Sequence, residues 1–239
     1  MRYLTLLLFI SFLYSGEVKL SLFVFDDIEQ SKDSKKFTEE VEKSSHVLKI
    51  YGGSFAKPKE DLDKLSKMNV DVALYSNELL AMDYKELKDK PVHLLTSNLL
   101  NSRGDLLDTS WVFTIEDINF GVFGLTNYNL TPPKNFSFNS IDTFFACRQK
   151  VKELKAKGVD FIILICSLDK DKLVSLIKKI EGIDVVVSNN PAESLPFFEN
   201  NTLIYFQNSH TLGKLDLLIE KKNTAQGTVT EFYPTWKKI

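Results

Sequence analysis

Short apolar runs alternate along most of this chain with longer amphipathic segments, and the alternation predicts strands and helices in turn. Strands are predicted at 19–25, 46–50, 70–75, 91–96, 111–117, 118–125, 160–166 and 183–187, and three late ones at 202–207, 213–220 and 227–233. Several early runs are continuously apolar, as expected of strands covered on both faces. The late runs alternate between apolar and polar residues, which is typical of antiparallel strands. The pattern therefore predicts an α/β fold.

Four amphipathic segments between the strands are predicted to be helices, at 33–44, 59–69, 140–158 and 169–182. The third has a rough apolar stripe made of Phe144, Phe145, Val151 and Leu154. Gly158 follows this stripe at a position where a glycine commonly ends a helix. Helices that connect successive strands in this way favour a largely parallel sheet.

Composition narrows the class of protein. The 239 residues are 44% apolar and 26% charged, which is typical of a soluble globular protein. Thirty basic and 32 acidic residues are interspersed and give a net charge of −2. Such a balance provides no global attraction to nucleic acid or to an anionic membrane, so nucleic acid is not an expected partner.

The N-terminal segment differs from the rest of the chain. Arg2 precedes an apolar run, Leu4–Leu13, that is shorter than the roughly 20 residues needed to span a bilayer. The segment fits a secretory signal peptide, with Ser15 and Gly16 near a possible cleavage point. We expect residues 1–16 to direct export to the periplasm or cell envelope. An uncleaved anchor, which would be the chain's one contact with a membrane, and a buried first element are the alternatives.

The chain has two cysteines, Cys147 in a predicted helix and Cys166 at the end of an apolar strand. Two buried thiols are the favoured interpretation. An exported protein can form disulfides, so a bridge between the two stays open.

Function in a mostly parallel sheet gathers in the loops at the carboxyl ends of the strands. Here those loops are rich in Ser, Asn and Gly and lack His, and they span 25–31, 50–56, 74–80, 95–100, 165–170 and 187–193. The last contains Ser188-Asn189-Asn190-Pro191, which ends an apolar strand abruptly. His210 follows a later strand and could face the same cleft, but one His makes no metal site.

The order of these segments resembles the metallophosphoesterase domain of the 5′-nucleotidase family. The stretches DVALYSNELLAMDY, FTIEDINFGVFGLTNYN and EGIDVVVSNNPAE look like segments that carry or frame that family's metal ligands. Framework residues shared with the pattern are Asp71, Asn98, Gly121, Gly124, Asp160 and Asp184. The resemblance implies a calcineurin-like sandwich of two mixed β-sheets flanked by helices. It also implies one domain over 17–239, without the family's C-terminal nucleotide-binding domain.

Enzymes of that family hold two divalent metals, which polarise the phosphate and activate water. Carried over residue by residue, the ligand positions hold mostly other residue types. The resulting vestigial positions are Asp27, Glu29, Ser54, Asn77, Glu78, Ser167, Asn189 and Pro191. Ser54 stands where the resemblance places the carboxylate that bridges the metals, and Ser167, Asn189 and Pro191 stand where it places His. A neutral hydroxyl would hold two dications together poorly.

These replacements predict an exported, catalytically inactive protein that needs no cofactor and works by binding a protein or a small ligand. One alternative is a residual metal-dependent phosphoesterase that uses Asp27, Glu29, Asn77 and Glu78. A related alternative is one weakly bound divalent cation near Asp27, Glu29 and Asn77, because carboxylate and amide oxygens suit a hard cation. A structural component of an envelope complex is the third possibility.

Overall fold

Two six-stranded β-sheets form the centre of the molecule. The computed structural model describes residues 16–29, 35–76, 78–82, 87, 90–100, 109–127, 139–189, 195–207, 212–224 and 227–239. The strands are β1 (Gly16–Phe25), β2 (His46–Tyr51), β3 (Val72–Leu74), β4 (His93–Leu95), β5 (Leu99–Leu100), β6 (Ser110–Ile115), β7 (Ile118–Leu125), β8 (Asn139–Ser140), β9 (Phe161–Cys166), β10 (Val185–Ser188), β11 (Phe197–Glu199), β12 (Thr202–Phe206), β13 (Gly213–Thr224) and β14 (Gly227–Lys238).

The first sheet has the order β14-β13-β1-β2-β3-β4 and the second the order β11-β12-β10-β9-β7-β6. In the first, β1 to β4 are parallel to one another, and β13 is antiparallel to both of its neighbours, β1 and β14. In the second, β12, β10, β9 and β7 are parallel, and antiparallel strands β11 and β6 form the two edges. The short strands β5 and β8 pair with each other.

Helices cover the outer faces of both sheets. They are α1 (Lys35–Glu42), α2 (Pro58–Lys67), α3 (Thr143–Ala156) and α4 (Lys170–Ile177), and a 3₁₀ turn spans Glu78–Ala81. Helices α1 and α2 share an apolar cluster with the first sheet, and α3 and α4 share one with the second. A third cluster lies between the sheets and includes Leu22, Leu48, Phe120 and Ile163. The predicted sandwich of two mixed sheets flanked by helices is confirmed. Within the described residues, every helix is too short or too polar to cross a membrane.

The same connection joins a helix to the next parallel strand three times. Asn69, Gly158 and Gly182, which follow α2, α3 and α4, have positive φ angles of 52°, 76° and 92°. Each is followed by one apolar residue, an aspartate and then a strand. This left-handed conformation favours Gly or Asn. Asn69 and Gly158 directly follow the C-caps of α2 and α3, whereas Gly182 lies five residues beyond the end of α4; at each position the chain turns back towards the sheet. The prediction that Gly158 ends its helix is confirmed.

The aspartate of each connection fixes the strand register. Asp71 accepts a hydrogen bond from the Lys49 backbone N–H at 2.8 Å, Asp160 from Asn119 at 2.9 Å and Asp184 from Ile162 at 2.7 Å. The backbone N–H of each aspartate donates to the carbonyl of the same neighbouring residue. Each aspartate therefore makes two hydrogen bonds with the adjacent parallel strand, one through its side chain and one through its backbone, and these bonds fix the register of the two strands.

Three sequence predictions differ from the structure. Phe145 was predicted in the apolar stripe of α3 but is 54% exposed, and the buried face consists instead of Ala146, Cys147, Lys150, Val151 and Leu154. Strand β12 is buried along its whole length and parallel to β10, whereas its sequence predicted an antiparallel strand. The short strands β5, β8 and β11 were not predicted, because two or three residues carry no periodic pattern.

Cys147 and Cys166 are both buried free thiols, as the favoured interpretation predicts. Burial raises the pKa of Cys166 to about 11 and shifts the pKa of Cys147 in the same direction. Both are therefore protonated and poorly nucleophilic at neutral pH.

Gly124 lies at a close approach of the two sheets, and we predict that it tolerates no side chain. A Cβ there would overlap the backbone carbonyl of Leu95 in β4. We expect Gly124→Ala to lower the free energy of unfolding by about 3 kcal/mol. Gly158→Ala is the matched control: it meets no atom within 4 Å and has only its φ of 76° against it, so it should cost about 1 kcal/mol. Urea unfolding measures both, and an equal or smaller loss for Gly124→Ala would contradict this packing.

Asp184 should make stability depend on pH. Burial raises its pKa to about 6, although the Ile162 N–H and Lys155 oppose the shift. Because the folded-state pKa exceeds the unfolded value, the carboxyl contributes stability below about pH 4 that is lost as pH rises through 6. Asp184→Asn keeps an acceptor for Ile162 without the charge. Between pH 4 and pH 7 the variant should therefore gain stability relative to wild type, by about 1–2 kcal/mol after allowance for partial exposure.

Urea unfolding at the two pH values tests this. Asp160→Asn is the contrasting variant, because it removes a 2.9 Å ion pair with Lys221 and should be less stable than wild type at pH 7. Equal pH dependence in wild type and Asp184→Asn would show that Asp184 is not the source.

Candidate functional site

A polar cavity of about 180 Å³ lies where the carboxyl ends of strands from both sheets meet. Its described lining residues are Gly53, Ser54, Leu74, Tyr75, Ser76, Glu78, Thr126, Asn127, Ser167 and Asn189. They follow β2 and β3 in the first sheet and β7, β9 and β10 in the second. This is the edge at which parallel α/β sheets place their ligands.

The cavity brings together four of the eight vestigial positions: Ser54, Glu78, Ser167 and Asn189. Asp27 and Glu29 follow β1 and are not among its described lining residues. Asn77, Pro191 and His210 lie outside the described residues, so their predicted placement is not addressed. Ser76 and Glu78, the neighbours of Asn77, both line the cavity.

Asn189 connects the two sheets across this cavity. It follows β10 of the second sheet, and its Nδ2 donates a hydrogen bond to the Gly52 carbonyl after β2 of the first sheet. A Cβ on Gly52 would lie 3.1 Å from the Asn189 Cβ, so glycine permits this approach. The side chain in a position that the resemblance gives to a metal-binding imidazole is thus engaged with the protein backbone.

Ser167 and Glu78 also form hydrogen bonds within the chain, the first part-buried and the second exposed. The Ser167 Oγ accepts a hydrogen bond from the Asn127 backbone N–H at 2.7 Å. The Glu78 carboxylate accepts one from the Ser76 hydroxyl at 2.5 Å. Both contacts order the loops at the cavity and lower the capacity of these oxygens to hold an outside group.

Asn98 and Thr126 form the buried floor of the same region. The Asn98 side chain donates to the Thr126 carbonyl at 2.8 Å and accepts from the Thr126 N–H at 3.0 Å. The Thr126 hydroxyl donates to the Tyr75 carbonyl at 2.8 Å. Asn98 and Tyr75 belong to the first sheet's side and Thr126 to the second. We call Asn98, Thr126 and Asn189, with their backbone partners, the inter-sheet network.

Ser54 is held through its backbone. The buried Tyr51 hydroxyl donates to the Ser54 carbonyl at 2.6 Å, which leaves the Ser54 side chain exposed. Burial raises the pKa of Tyr51 above its usual range, and the charges of Asp61, Asp26, Asp27 and Glu78 add to the shift. The tyrosine is therefore a permanent donor. The carboxylates of Asp27 and Glu78 lie close enough to influence it.

Glu29 takes part in a surface ion pair. Its carboxylate contacts the Lys64 ammonium of α2, and Lys64 also lies 3.9 Å from Asp61. A cation at Glu29 would have to compete with this lysine. The ion pair disfavours the predicted weak cation site near Asp27, Glu29 and Asn77. Because Asn77 lies outside the described residues, that site stays a prediction.

The donor set of the described cavity does not fit a pair of transition metals. Across the described residues, no three His, Cys, Asp or Glu side chains converge in a way that could hold an ion. Glu78 is the one charged residue among the described lining residues, and the rest of the polar lining is hydroxyl and amide. Dinuclear centres use carboxylates and imidazoles to replace the hydration of two dications, and neutral oxygens do so poorly.

Sequence reasoning missed Thr126 and Asn127 as parts of this site. Both directly follow the Gly124-Leu125 end of the apolar strand β7, the same position that flagged Ser54 and Ser167 after their strands. Their position after an apolar strand could have indicated the site, but the resemblance assigns no metal ligand to either residue.

Comparison with known proteins gives a consistent picture. No protein-family model matches the chain. The NAD 5′-nucleotidase of Haemophilus influenzae is 24% identical over 115 residues, which cover 44% of this chain and 19% of that protein. The match is thus to a part of a much longer relative.

Solved structures agree over a larger share of the chain. The Haemophilus influenzae NAD nucleotidase superimposes with a TM-score of 0.68 at 15% identity, covering 93% of this chain and 50% of that one. The Thermus thermophilus 5′-nucleotidase precursor gives 0.69 at 14% identity, covering 93% and 55%. A calcineurin-like phosphoesterase of Bacillus subtilis gives 0.71 at 15% identity, covering 93% and 91%. The chain therefore has the calcineurin-like metallophosphoesterase fold, which it shares with solved 5′-nucleotidases.

Proposed function

We propose that this chain is an exported, catalytically inactive protein of the metallophosphoesterase fold that acts by binding a protein or a small ligand. The observation that carries the proposal is the state of the cavity's ligand positions. Ser54 offers a neutral hydroxyl where a bridging carboxylate is expected, the Asn189 Nδ2 donates to the Gly52 carbonyl, and the Ser167 Oγ accepts from the Asn127 N–H.

Electrostatics supports the loss of hydrolysis. Hydrolysis of a phosphoester in this fold requires metal ions that polarise the phosphate and generate hydroxide at neutral pH. The described lining residues supply one carboxylate, Glu78, and no imidazole or cationic side chain. A phosphate dianion would therefore meet the negative charge of Glu78 and neutral hydroxyl and amide groups, without the cations that form strong, charge-assisted bonds to phosphate.

The size of the cavity supports binding of a small group rather than a whole nucleotide. Its volume of about 180 Å³ is below the range of roughly 300–1,000 Å³ that is usual for small-molecule sites. A side chain from a partner protein, or one end of a polar ligand, fits this volume.

Export rests on the sequence of residues 1–16, in which Arg2 precedes the Leu4–Leu13 run. We place the protein in the periplasm or cell envelope on this basis. The structural neighbour from Thermus thermophilus is a 5′-nucleotidase precursor, which is in keeping with export.

A residual metal-dependent hydrolase is the second candidate. The observation in its favour is that Asp27 follows β1 and Glu78 follows β3, so two carboxylates lie at the carboxyl edge of the first sheet. Such an enzyme would need a metal coordination different from the family's, because Ser54 cannot bridge two ions.

We predict no turnover of AMP, a UDP-sugar or a chromogenic phosphodiester in the presence of Mn²⁺, Zn²⁺, Mg²⁺ or Ca²⁺. Loss of one transition-state donor already costs about a hundredfold to a thousandfold in rate, and several groups are absent together here. Ser54→Asp should not restore activity, because Ser167 and Asn189 still lack imidazoles. Hydrolysis is followed by phosphate or chromophore release.

The control is an Asp27→Ala/Glu78→Ala double variant purified in parallel, which reports any contaminating phosphatase. Equal background in both preparations supports an inactive protein. Hydrolysis by the native chain that the double variant lacks would establish the residual hydrolase and overturn the proposal.

A further inference from the structure

A basic groove separates helices α3 and α4 on the outer face of the second sheet. It has a volume of about 300 Å³ and is lined by Arg148, Val151, Lys152, Lys155, Lys179, Ile180 and Glu181. Val151 and Ile180 are buried and form an apolar floor. The four cationic side chains among these residues, Arg148, Lys152, Lys155 and Lys179, define what we call the basic groove.

The spacing of the cations follows from the helix. Arg148, Lys152 and Lys155 are separated by four and three residues, so they lie on one face of α3. Lys179 reaches the groove from the turn after α4, and its ammonium lies 5.9 Å from the centroid of the Phe144 ring. The groove therefore receives positive charge from both of its sides.

These charges are less neutralised than those of other lysines in the molecule. Lys150 and Lys157 of the same helical region pair with Glu153 at 2.6 and 2.7 Å, and Lys221 pairs with Asp160 at 2.9 Å. Within the described residues, neither Arg148 nor Lys152 forms an ion pair. Lys155 packs against Gly182 and is partly balanced by Asp184, and Glu181 is the carboxylate in the lining. A net positive potential results.

The start of β1 lies close to the C-terminal end of α3, the helix that lines one side of the groove. Gly16 packs against Asp117, and Lys221 bonds both the Asp117 carbonyl and the Asp160 carboxylate. The Asn119 amide donates to the Gly158 carbonyl just after α3 at 3.1 Å. The start of β1 and the C-terminal end of α3 are therefore neighbours. In the sequence, only Tyr14 and Ser15 separate Gly16 from the apolar run Leu4–Leu13.

We propose that the basic groove docks the protein on a bilayer rich in acidic phospholipids, with Arg148, Lys152, Lys155 and Lys179 contacting lipid phosphates. Charge complementarity supports this partner, because exposed cations gain affinity for the negative surface of such a membrane. In a chain that keeps residues 1–16 as an uncleaved anchor, the neighbouring Gly16 supports it as well, since the preceding apolar segment would bring this end of α3 to the same surface. The cavity at the carboxyl ends of the strands would then face away from the membrane.

The proposal does not depend on whether the chain is an enzyme. Vesicle binding of the full chain tests it, with phosphatidylcholine vesicles compared with vesicles that contain phosphatidylglycerol. The apolar N-terminal segment is the same in all variants and is uncharged apart from Arg2, so the ratio of the two affinities isolates the electrostatic part. We expect wild type to prefer the acidic vesicles. This preference should be lost in about 0.5 M NaCl, because that ionic strength shortens the Debye length several-fold relative to dilute buffer.

Arg148→Gln/Lys152→Gln should reduce the preference about thirtyfold, because one cation at such a surface contributes about a fivefold change in affinity. Lys35→Gln/Lys36→Gln is the matched control, because it removes the same charge from exposed positions on α1, which covers the other sheet. This variant should change the preference by less than about threefold, which is smaller than the effect of one cation at the membrane surface. Thermal unfolding checks that both variants are folded. The charge reversal Arg148→Glu/Lys152→Glu should abolish the preference entirely.

Equal vesicle preference in wild type and Arg148→Gln/Lys152→Gln would overturn the proposal. Retention on heparin together with no binding to acidic vesicles would also overturn it and would assign the groove to a soluble polyanion. A loss of the same size in the α1 control would show that net charge, rather than the groove, determines binding.

Discussion

Hydrogen bonds between Asn98 and Thr126 hold the carboxyl ends of the two sheets in a fixed relation, and the site depends on them. Both residues are buried, and the Asn98 amide satisfies the N–H and the carbonyl of Thr126 at the same time. A buried polar group that loses its partner costs about 1–3 kcal/mol, so this pairing tolerates no alternative register. The Thr126 hydroxyl extends the contact to Tyr75, which precedes Ser76 and Glu78. The cavity is therefore built on a rigid neutral floor.

Asn189 completes this arrangement at the other side of the cavity. In the family that the chain resembles, metal ligands contributed by both sheets converge here. In this chain, Asn189 of one sheet bonds directly to the Gly52 carbonyl of the other. Neutral hydrogen bonds hold a fixed geometry without a cation, but they provide neither a Lewis acid nor an activated water. This contrast connects the packing of the sheets with the proposed loss of hydrolysis. The basic groove lies away from this contact, between α3 and the segment that follows α4.

Much of the fold could be predicted from the sequence because burial on both faces leaves a strong pattern. The continuous apolar runs of β7 and β9, and the helices that precede parallel strands, were recognisable in this way. Asp71, Asp160 and Asp184 appeared as framework residues, and the structure gives the reason: each clamps the register of a neighbouring strand. The exposure of Phe145 and the parallel direction of β12 could not be predicted. They depend on which tertiary neighbour covers the segment, and local periodicity does not encode that.

The site was predictable in part for a related reason. Ser54, Glu78, Ser167 and Asn189 were assigned from the resemblance, which places the family's ligands at these strand ends, and the structure brings them to one cavity. Their partners could not be predicted, because hydrogen bonds such as those from Asn189 to Gly52 and from Asn127 to Ser167 join residues far apart in the sequence. Glu29 illustrates the same limit: its contact with Lys64 of α2 directs it to an ion pair that a ligand pattern does not reveal.

The thermal stability of the native chain and of Asn189→Ala, each measured in EDTA and in excess Mn²⁺, tests the central claim most directly. A metal that binds at a thousandfold excess over its Kd stabilises a protein by about 4 kcal/mol, which corresponds to roughly 8–16 °C for a chain of this size. We predict the same Tm in EDTA and Mn²⁺ for both proteins. Asn189→Ala should melt about 2–4 °C lower in either condition, because it loses one inter-sheet hydrogen bond worth about 1 kcal/mol. A rise of many degrees with Mn²⁺ in the native chain that Asn189→Ala lacks would make Asn189 a metal ligand and contradict the account.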